Sequence, residues 1–400
     1  MSRMAARLVA LLFGLLVGIV ALEVGLRLLD WSAPRLTQHD PNRGKAYRPS
    51  IGWHQAEEGE ADIATNRWGF RDREWTEAKP ANTVRVALLG DSFVDGLQVP
   101  IDSTWARVAE SRLNEARAFG DSTVEVMNFG VSGYGTAQEL QTLRFEVRRF
   151  APDIVVLSFL PGNDVRDNGV RLKRDPGRPY FTLHGDSLVL DPSFRTSRGR
   201  VPPVVRRAGL ALLDRSRVAQ ALYRMRMRSR ERAQLKSIHE STDVLGTAPH
   251  QELGLDNMVY RSPEHPAWVE AWQVTDALIA AMNREAAAMG ASFLAVTISS
   301  SIQVHPDRSV REAFMTTLGV DSLSYPEERV AALGRTEGFP VLVLAPRLAA
   351  WAEPRHAWLH GFANTRPGYG HWNGLGHRLA GACLAEALAD RFGQRACPAE

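Results

Sequence analysis

The chain has 400 residues, of which 44% are hydrophobic and 23% charged. Those fractions belong to an ordinary folded protein and exclude a disordered chain, a collagen-like repeat and a polytopic membrane protein. The formal charge of +3, from 48 basic and 45 acidic residues, is too small an excess to argue for nucleic acid as a partner, and all the basic residues except Lys45, Lys79, Lys173 and Lys236 are arginine.

Arg3 and Arg7 precede an uncharged run from Leu8 to Leu22, and after Glu23 the apolar character resumes as far as Leu26 before Arg27. As a helix this run of about 19 residues reaches about 28 Å, close to the roughly 30 Å hydrocarbon core, with Glu23 near the end where headgroups lie. Residues 1–31 therefore read as a cytoplasmic tip and a transmembrane signal anchor. A cleaved signal peptide is the rival reading, but no A-x-A site follows the run. A buried helix of a soluble domain would need a polar face that Leu8 to Leu22 lacks. Two arginines before the span and one after it favour a cytoplasmic N-terminus. The expectation is a single-pass protein of the cytoplasmic membrane, with everything beyond residue 31 periplasmic or extracellular.

Residues 32–80 are rich in Pro, Gly and charge, with scattered aromatics at Tyr47, Trp53, Trp68 and Phe70, and read as irregular strands wrapping onto a domain that occupies 81–400. Val84 to Leu89 is a short apolar run ending at Gly90, followed by Trp105, Val108, Ala109 and Leu113 at helical spacing. Val124 to Phe129 is a second run, followed by Leu140, Leu143, Val147 and Phe150 on a helix, and Ile154 to Phe159 is a third. Ser292 to Ile298, after a helix over Ala267 to Met289, and Val341 to Leu344 complete the set. Near-continuous apolar runs separated by amphipathic helices predict parallel strands buried on both faces: an α/β fold with a doubly wound, flavodoxin-like, five-stranded parallel sheet.

An insertion at about 168–262 separates strands three and four. It contains a predicted hairpin, Tyr180 to Leu183 with Leu188 to Leu190, and a predicted long helix from Val204 to Lys236 with Leu210, Leu213, Val218, Leu222 and Met225 on its apolar side. The run Arg224, Arg226, Arg228, Arg230 and Arg232 reads as a solvated helix face ahead of a site for anionic polymer or headgroups. Cys383 and Cys397 are the only cysteines, and pairing or two free thiols fit equally well.

In a doubly wound sheet, ligands bind outside the carboxyl ends of the strands. Strand one ends in Gly90-Asp91-Ser92-Phe93, strand two in Asn128 to Gly135, strand three in Pro161-Gly162-Asn163-Asp164, and Gly370-His371-Trp372-Asn373 precedes the last helix. A serine at a tight turn, a histidine to take its proton, and the N–H groups of Ser92 and Gly133 with the Asn163 amide to hold an oxyanion are the parts of an acyl-transfer site. Ser92 also suits a helix cap, Gly133 a turn and Asn163 an Asx-turn, but all lie on one rim.

These residues resemble the SGNH (GDSL-type) hydrolase superfamily, whose four blocks centre on Ser, Gly, Asn and His in that order; the match covers about residues 62–392 without the insertion. Ser92 in Gly-Asp-Ser-Phe-Val-Asp-Gly, Gly133, Asn163 in Gly-Asn-Asp and His371 in His-Trp-Asn-Gly take the four places. Asn66-Arg67-Trp68-Gly69-Phe70-Arg71-Asp72 resembles the lead-in of membrane-anchored bacterial members. The resemblance implies Ser92 and His371 as catalytic residues, with Ser92, Gly133 and Asn163 forming the oxyanion hole. It departs in one place: the Asp expected three residues before the histidine is Gly368. Another group or a backbone carbonyl then orients His371, or Ser92 and His371 act as a dyad, or hydrolysis is lost. Asp91 and Asp164 lie nearby as supporting residues without an assigned part.

Gly185-Asp186-Ser187 repeats the motif in a predicted hairpin turn and is set aside. His377 falls in the first turns of the last helix and is expected to pack or bond locally. His356 and His360 have the spacing of a metal pair but no H-E-x-x-H, and no phosphate-binding glycine motif follows a strand, so neither metal nor cofactor is expected. The expected function is a membrane-anchored, exported serine esterase that removes acyl groups, O-acetyl foremost, from a carbohydrate or cell-envelope substrate. A polysaccharide O-acetyltransferase on the same residues and a non-catalytic glycan-binding or assembly factor are the alternatives.

Overall fold

The computed structural model describes residues 3–185, 187–196, 203–227, 229 and 256–393. The chain forms two compact units, one of Met1–Gln38 with Arg198–Gly246 and one of His39–Ser197 with Thr247–Glu400. The predicted insertion is thus divided: its hairpin, Tyr180–His184 with Ser187–Asp191, belongs with the sheet, and the arginine-rich helices belong with the N-terminal helix.

In the larger unit, β1 (Thr83–Gly90), β2 (Thr123–Gly130), β3 (Ile154–Phe159), β4 (Ser292–Thr297) and β5 (Val341–Val343) form one parallel sheet in the order β5-β4-β3-β1-β2. This is the doubly wound order expected, and the winding reverses between the neighbours β1 and β3, where Leu88 faces Val156 and Leu89 faces Leu157. Every residue of β3 is buried, as an unbroken Ile-Val-Val-Leu-Ser-Phe run requires. Val86, Leu88, Val126, Val156, Leu294 and Val296 pack with Trp105, Ala109 and Leu113 of the helix Trp105–Glu115 and Ala380, Leu384 and Leu388 of the helix Gly374–Phe392. Three further helices, Arg308–Leu318, Tyr325–Glu337 and Ala345–Ala352, fall where no apolar run was strong enough to mark them.

The wrapping segment is tied to this sheet by its polar residues. Asn66 Oδ1 accepts from the N–H groups of Trp68 (3.0 Å) and Phe70 (3.1 Å), closing a tight loop. Arg71, 1% exposed, then donates to the carbonyls of Asp95 (3.0 Å), Gly96 and Val99, across the turn that follows Ser92. Phe70 stacks on Trp75 and meets Phe129 of β2 edge-on. The strands Gly52–Gln55 and Ala61–Ala64 pair antiparallel, with Trp53 opposite Ile63, and project a tip at residues 56–60.

In the smaller unit, Arg3–Leu28 is the one helix among the described residues long and apolar enough to cross a membrane. Glu23 does not simply point to headgroups: its carboxylate accepts from Ser216 Oγ (3.0 Å) and from the N–H groups of Arg217 (3.1 Å) and Val218 (3.0 Å). The expected continuous helix is accordingly broken. Pro203–Arg215 ends before Ser216, and a new helix starts at Arg217 with Glu23 satisfying its first donors. Leu222 and Met225, expected on an apolar face, are exposed. Arg228, Arg230, Arg232 and Lys236 lie outside the described residues, as does Cys397, while Cys383 is a half-buried free thiol.

Candidate active site

Ser92 sits where β1 turns into the short helix Ser92–Asp95. The cap is Asp91, whose Oδ1 accepts from Phe93 N (2.9 Å), so the Ser92 hydroxyl is not used as a cap. His371 is fixed from both sides. Trp372 is fully buried, donates Nε1 to Ser299 Oγ (3.2 Å) and meets Phe93 edge-on. Asn373 caps the last helix, accepting from Leu375 N (3.0 Å) and Gly376 N (3.1 Å) while donating to Trp358 O (2.9 Å). With its neighbours held, the ring of His371 lies with Nε2 2.8 Å from Ser92 Oγ.

The other ring nitrogen, Nδ1, is 2.6 Å from Glu58 Oε2, and Oε1 of the same carboxylate accepts from the backbone N–H of His371 (2.7 Å). Ser92, His371 and Glu58 are therefore bonded in series. Glu58 comes from the tip of the wrapping hairpin, a residue that no spacing in the sequence singles out. Asn364 clamps that tip, accepting from Gly59 N (3.0 Å) and donating to Ala56 O (3.2 Å) and Gly59 O (2.9 Å). Gly370 makes room for it: a Cβ there would stand 2.1 Å from Glu58 Oε1. Gly368, where the family pattern has its acid, has φ +75°, and a Cβ on it would stand 2.3 Å from the Trp358 ring. The site thus has a carboxylate partner for the histidine, supplied from a different part of the chain.

Burial disfavours the charged form of His371, but its bond to Glu58 and the negative charges of Glu58, Asp91 and Asp95 together outweigh this and raise its pKa above the ordinary value. Glu58 mirrors it: burial opposes ionisation, and the His371 bonds hold the carboxyl below its usual range. Both shifts favour an imidazolium paired with a carboxylate, the state in which a base has just taken a proton.

Gly133 follows β2 at φ +71°, and Asn163 lies in the first turn of the helix Pro161–Asn168 at the end of β3. The backbone N–H groups of Ser92 and Gly133 have no protein acceptor among the described residues. Asn163 Nδ2 lies 3.5 Å from Asp91 Oδ2, a long contact that turns its amide toward the serine loop. The loop before Gly133 is held by Asp95, whose Oδ2 accepts from Tyr47 Oη (2.5 Å), Ser132 N (3.1 Å) and Ser132 Oγ (2.7 Å). The arrangement offers a hydroxyl, a base, a carboxylate partner and oxyanion donors on one rim.

The two acids expected as support have other work. Asp91 caps the helix, and burial raises its pKa to about 6. Asp164 accepts from Leu160 N (2.8 Å), and burial raises its pKa well above the ordinary range. Neither bonds His371 among the described residues. Beside them Glu139, 1% exposed, has no hydrogen-bond partner on either oxygen among the described residues, and burial followed by the nearby Asp91 raises its pKa strongly. A group whose pKa is raised on folding contributes stability that is full below its unfolded value and is lost as pH rises through the folded one. Glu139→Gln is therefore expected to leave stability at pH 4 little changed and to raise it by about 1–3 kcal/mol at pH 8. Urea titrations of the detergent-purified chain at the two pH values check this; a variant less stable than the parent at pH 8 contradicts it.

His377 is buried and accepts from Trp105 N (3.3 Å), the local role expected of it. His356 ends a short turn at φ +47°, whereas His360 is buried in a bridge to Trp372 with Nδ1 2.7 Å from Gly370 O, so the two do not share a helical face.

No family model matches the chain, and no curated protein matches it. Solved structures similar to it include an acetyl xylan esterase (11% identity, TM-score 0.38, covering 76% of this chain and 100% of that one). A lipase/acylhydrolase from Enterococcus faecalis matches at 13% identity and TM-score 0.37 (78% and 100%). An acetyl-xylooligosaccharide esterase from a Geobacillus matches at 9% and 0.37 (78% and 97%).

Proposed function

We propose that this chain is a serine esterase of the SGNH type that cleaves acyl esters, O-acetyl foremost, of a carbohydrate or cell-envelope substrate. In this reading its N-terminal helix holds it to the membrane and its catalytic unit works outside the cytoplasm. The observation that carries the reading is the bonded series from Ser92 through His371 to Glu58, beside the free N–H groups of Ser92 and Gly133.

Ser92 Oγ attacks the ester carbonyl carbon as His371 Nε2 takes the hydroxyl proton, and Glu58 holds the Nδ1–H and balances the imidazolium. The oxyanion accepts from the N–H groups of Ser92 and Gly133 and from the Asn163 amide. The C–O bond to the alcohol breaks as His371 returns its proton to the leaving oxygen. Water, deprotonated by His371, then attacks acyl-Ser92 and releases the carboxylic acid and the serine.

A cavity of about 220 Å³ supports a sugar-sized substrate. It is lined by Gly368 and Tyr369 of the His371 loop, Trp358, His305, Phe314 and Asn257. Aromatic walls with a few polar groups suit the apolar faces and hydroxyls of a sugar. Glu58 also supplies the carboxylate whose apparent loss at Gly368 motivated a non-catalytic reading.

The test is release of acetate from O-acetylated oligosaccharides by the detergent-purified chain, with Ser92→Ala as control. Serine-dependent acetate release is the expected result. Acetate release equal in the two proteins overturns the reading, and serine-dependent transfer of acetyl to a sugar hydroxyl in excess of free acetate replaces hydrolysis by transfer.

A further inference from the structure

The wrapping segment brings a second group to the site rim besides Glu58. Lys45, in the strand Gly44–Tyr47, is half-buried, and its backbone is pinned to the oxyanion loop by Tyr134, whose hydroxyl donates to Lys45 O (2.5 Å). Its ammonium stands 3.2 Å from where a Cβ on Gly133 would be, and it is the only atom within 4 Å of that point outside the adjacent chain. Gly133 therefore faces open space with one cation at its edge. Lys45 Nζ makes no hydrogen bond among the described residues, although the charges of Asp175 and Asp167 act on it.

Arg178 stands on the same loop. It is 6% exposed, donates Nη2 to Gly133 O (2.7 Å) and pairs with Asp167 (2.9 Å), yet its Nε and Nη1 have no partner among the described residues. Asp167 is already shared with Arg166 (3.3 Å) and Lys173 (3.1 Å), and Asp175 Oδ1 accepts from Gly177 N (2.9 Å). Lys45, Arg166, Lys173 and Arg178 thus share Asp167 and Asp175, with Glu139 acting on Arg178 as well. Burial, and then Arg178, lowers the Lys45 pKa to about 8 against the opposing charges of Asp175 and Asp167. The two unpartnered Arg178 donors are sealed from solvent, so the group that an anion can reach is the Lys45 ammonium, with the guanidinium charge behind it.

We infer that Lys45, with the positive charge of Arg178 behind it, forms an anion subsite beside the oxyanion glycine, and that the ester is carried by an acidic sugar whose carboxylate this subsite holds. The inference rests on the esterase reading and adds to it the charge class of the substrate. The Lys45 ammonium makes no hydrogen bond of its own in the fold, so the preference for a charged substrate is expected to be large.

The experiment compares kcat/KM of the detergent-purified chain on O-acetylated oligogalacturonates and on the same oligosaccharides with their carboxylates reduced to alcohols. The parent is expected to prefer the acidic series by about thirtyfold, with the preference falling as salt is raised. Lys45→Met is expected to cut that ratio at least about tenfold, and Lys45→Arg to retain most of it, with both variants melting within about 2 °C of the parent because the Lys45 side chain makes no bond in the fold. Equal cleavage of both series by the parent, or an undiminished ratio in Lys45→Met, overturns the inference and leaves the esterase reading standing. Cleavage of neither series, with no acetate released from neutral acetylated xylo-oligosaccharides either, overturns both.

Discussion

Glu58→Gln is expected to lower kcat about a thousandfold while KM for a short acyl ester stays within about threefold. The amide is nearly isosteric and can still accept from the backbone N–H of His371, so the loop keeps its place. What is lost is the charge that balances the imidazolium and fixes the proton on Nδ1. The same substitution has a signature that a packing defect would not produce. Glu58 raises the His371 pKa against burial, so activity in the parent should rise with pH through a value above the ordinary 6.5 of histidine. In Glu58→Gln this acid limb should move to lower pH even as the plateau falls. An acid at position 368 does not rescue it: Gly368→Asp, alone or with Glu58→Gln, places a Cβ against the Trp358 ring at a positive φ and is expected to lose further activity. Steady-state kinetics from pH 5 to 9 check all three statements, and an unshifted acid limb in Glu58→Gln contradicts the assignment.

Ser92→Ala and His371→Ala are each expected to lower kcat by about four to six orders of magnitude, and the double variant to be no worse than either alone. Residues that act as a unit are not additive: without the nucleophile the base has nothing to activate, and without the base the hydroxyl stays protonated. Independent additive losses would mean that the 2.8 Å contact between Ser92 Oγ and His371 Nε2 is not used in the reaction. Both substitutions remove atoms from a partly open cleft, so melting temperatures are expected to stay close to that of the parent.

The sheet and three of the site positions were legible for the same reason. Runs such as Ile154 to Phe159 are apolar at every position because both faces of the strand are covered, and the residues just after such runs lie on the binding rim by topology alone. Ser92, Gly133 and Asn163 are legible that way, and His371 by its place directly before the last helix in His-Trp-Asn-Gly. Glu58 was not, because it lies 313 residues before its histidine and sits in an acidic stretch, Glu57-Glu58-Gly59-Glu60, without periodicity. Its place is decided by tertiary contacts: the Trp53–Ile63 pairing, the Asn364 clamp and the gap at Gly370. Lys45 escaped notice for the same reason. The predicted helix from Val204 to Lys236 breaks at Ser216 although one periodic pattern runs through it, because Glu23, in a distant segment, satisfies the first donors of a second helix there.

The central claim is that Ser92 is a nucleophile activated through His371 and Glu58. The most direct measurement is the rate of covalent labelling of the detergent-purified chain by a fluorophosphonate, with the adduct mapped by peptide mass spectrometry in the parent, His371→Ala and Glu58→Gln. The expected result is a single adduct on Ser92, abolished in His371→Ala and formed at least about a hundredfold more slowly in Glu58→Gln. Folded parent protein that takes no label at Ser92, or Ser92 labelled at one rate in all three proteins, would contradict the claim.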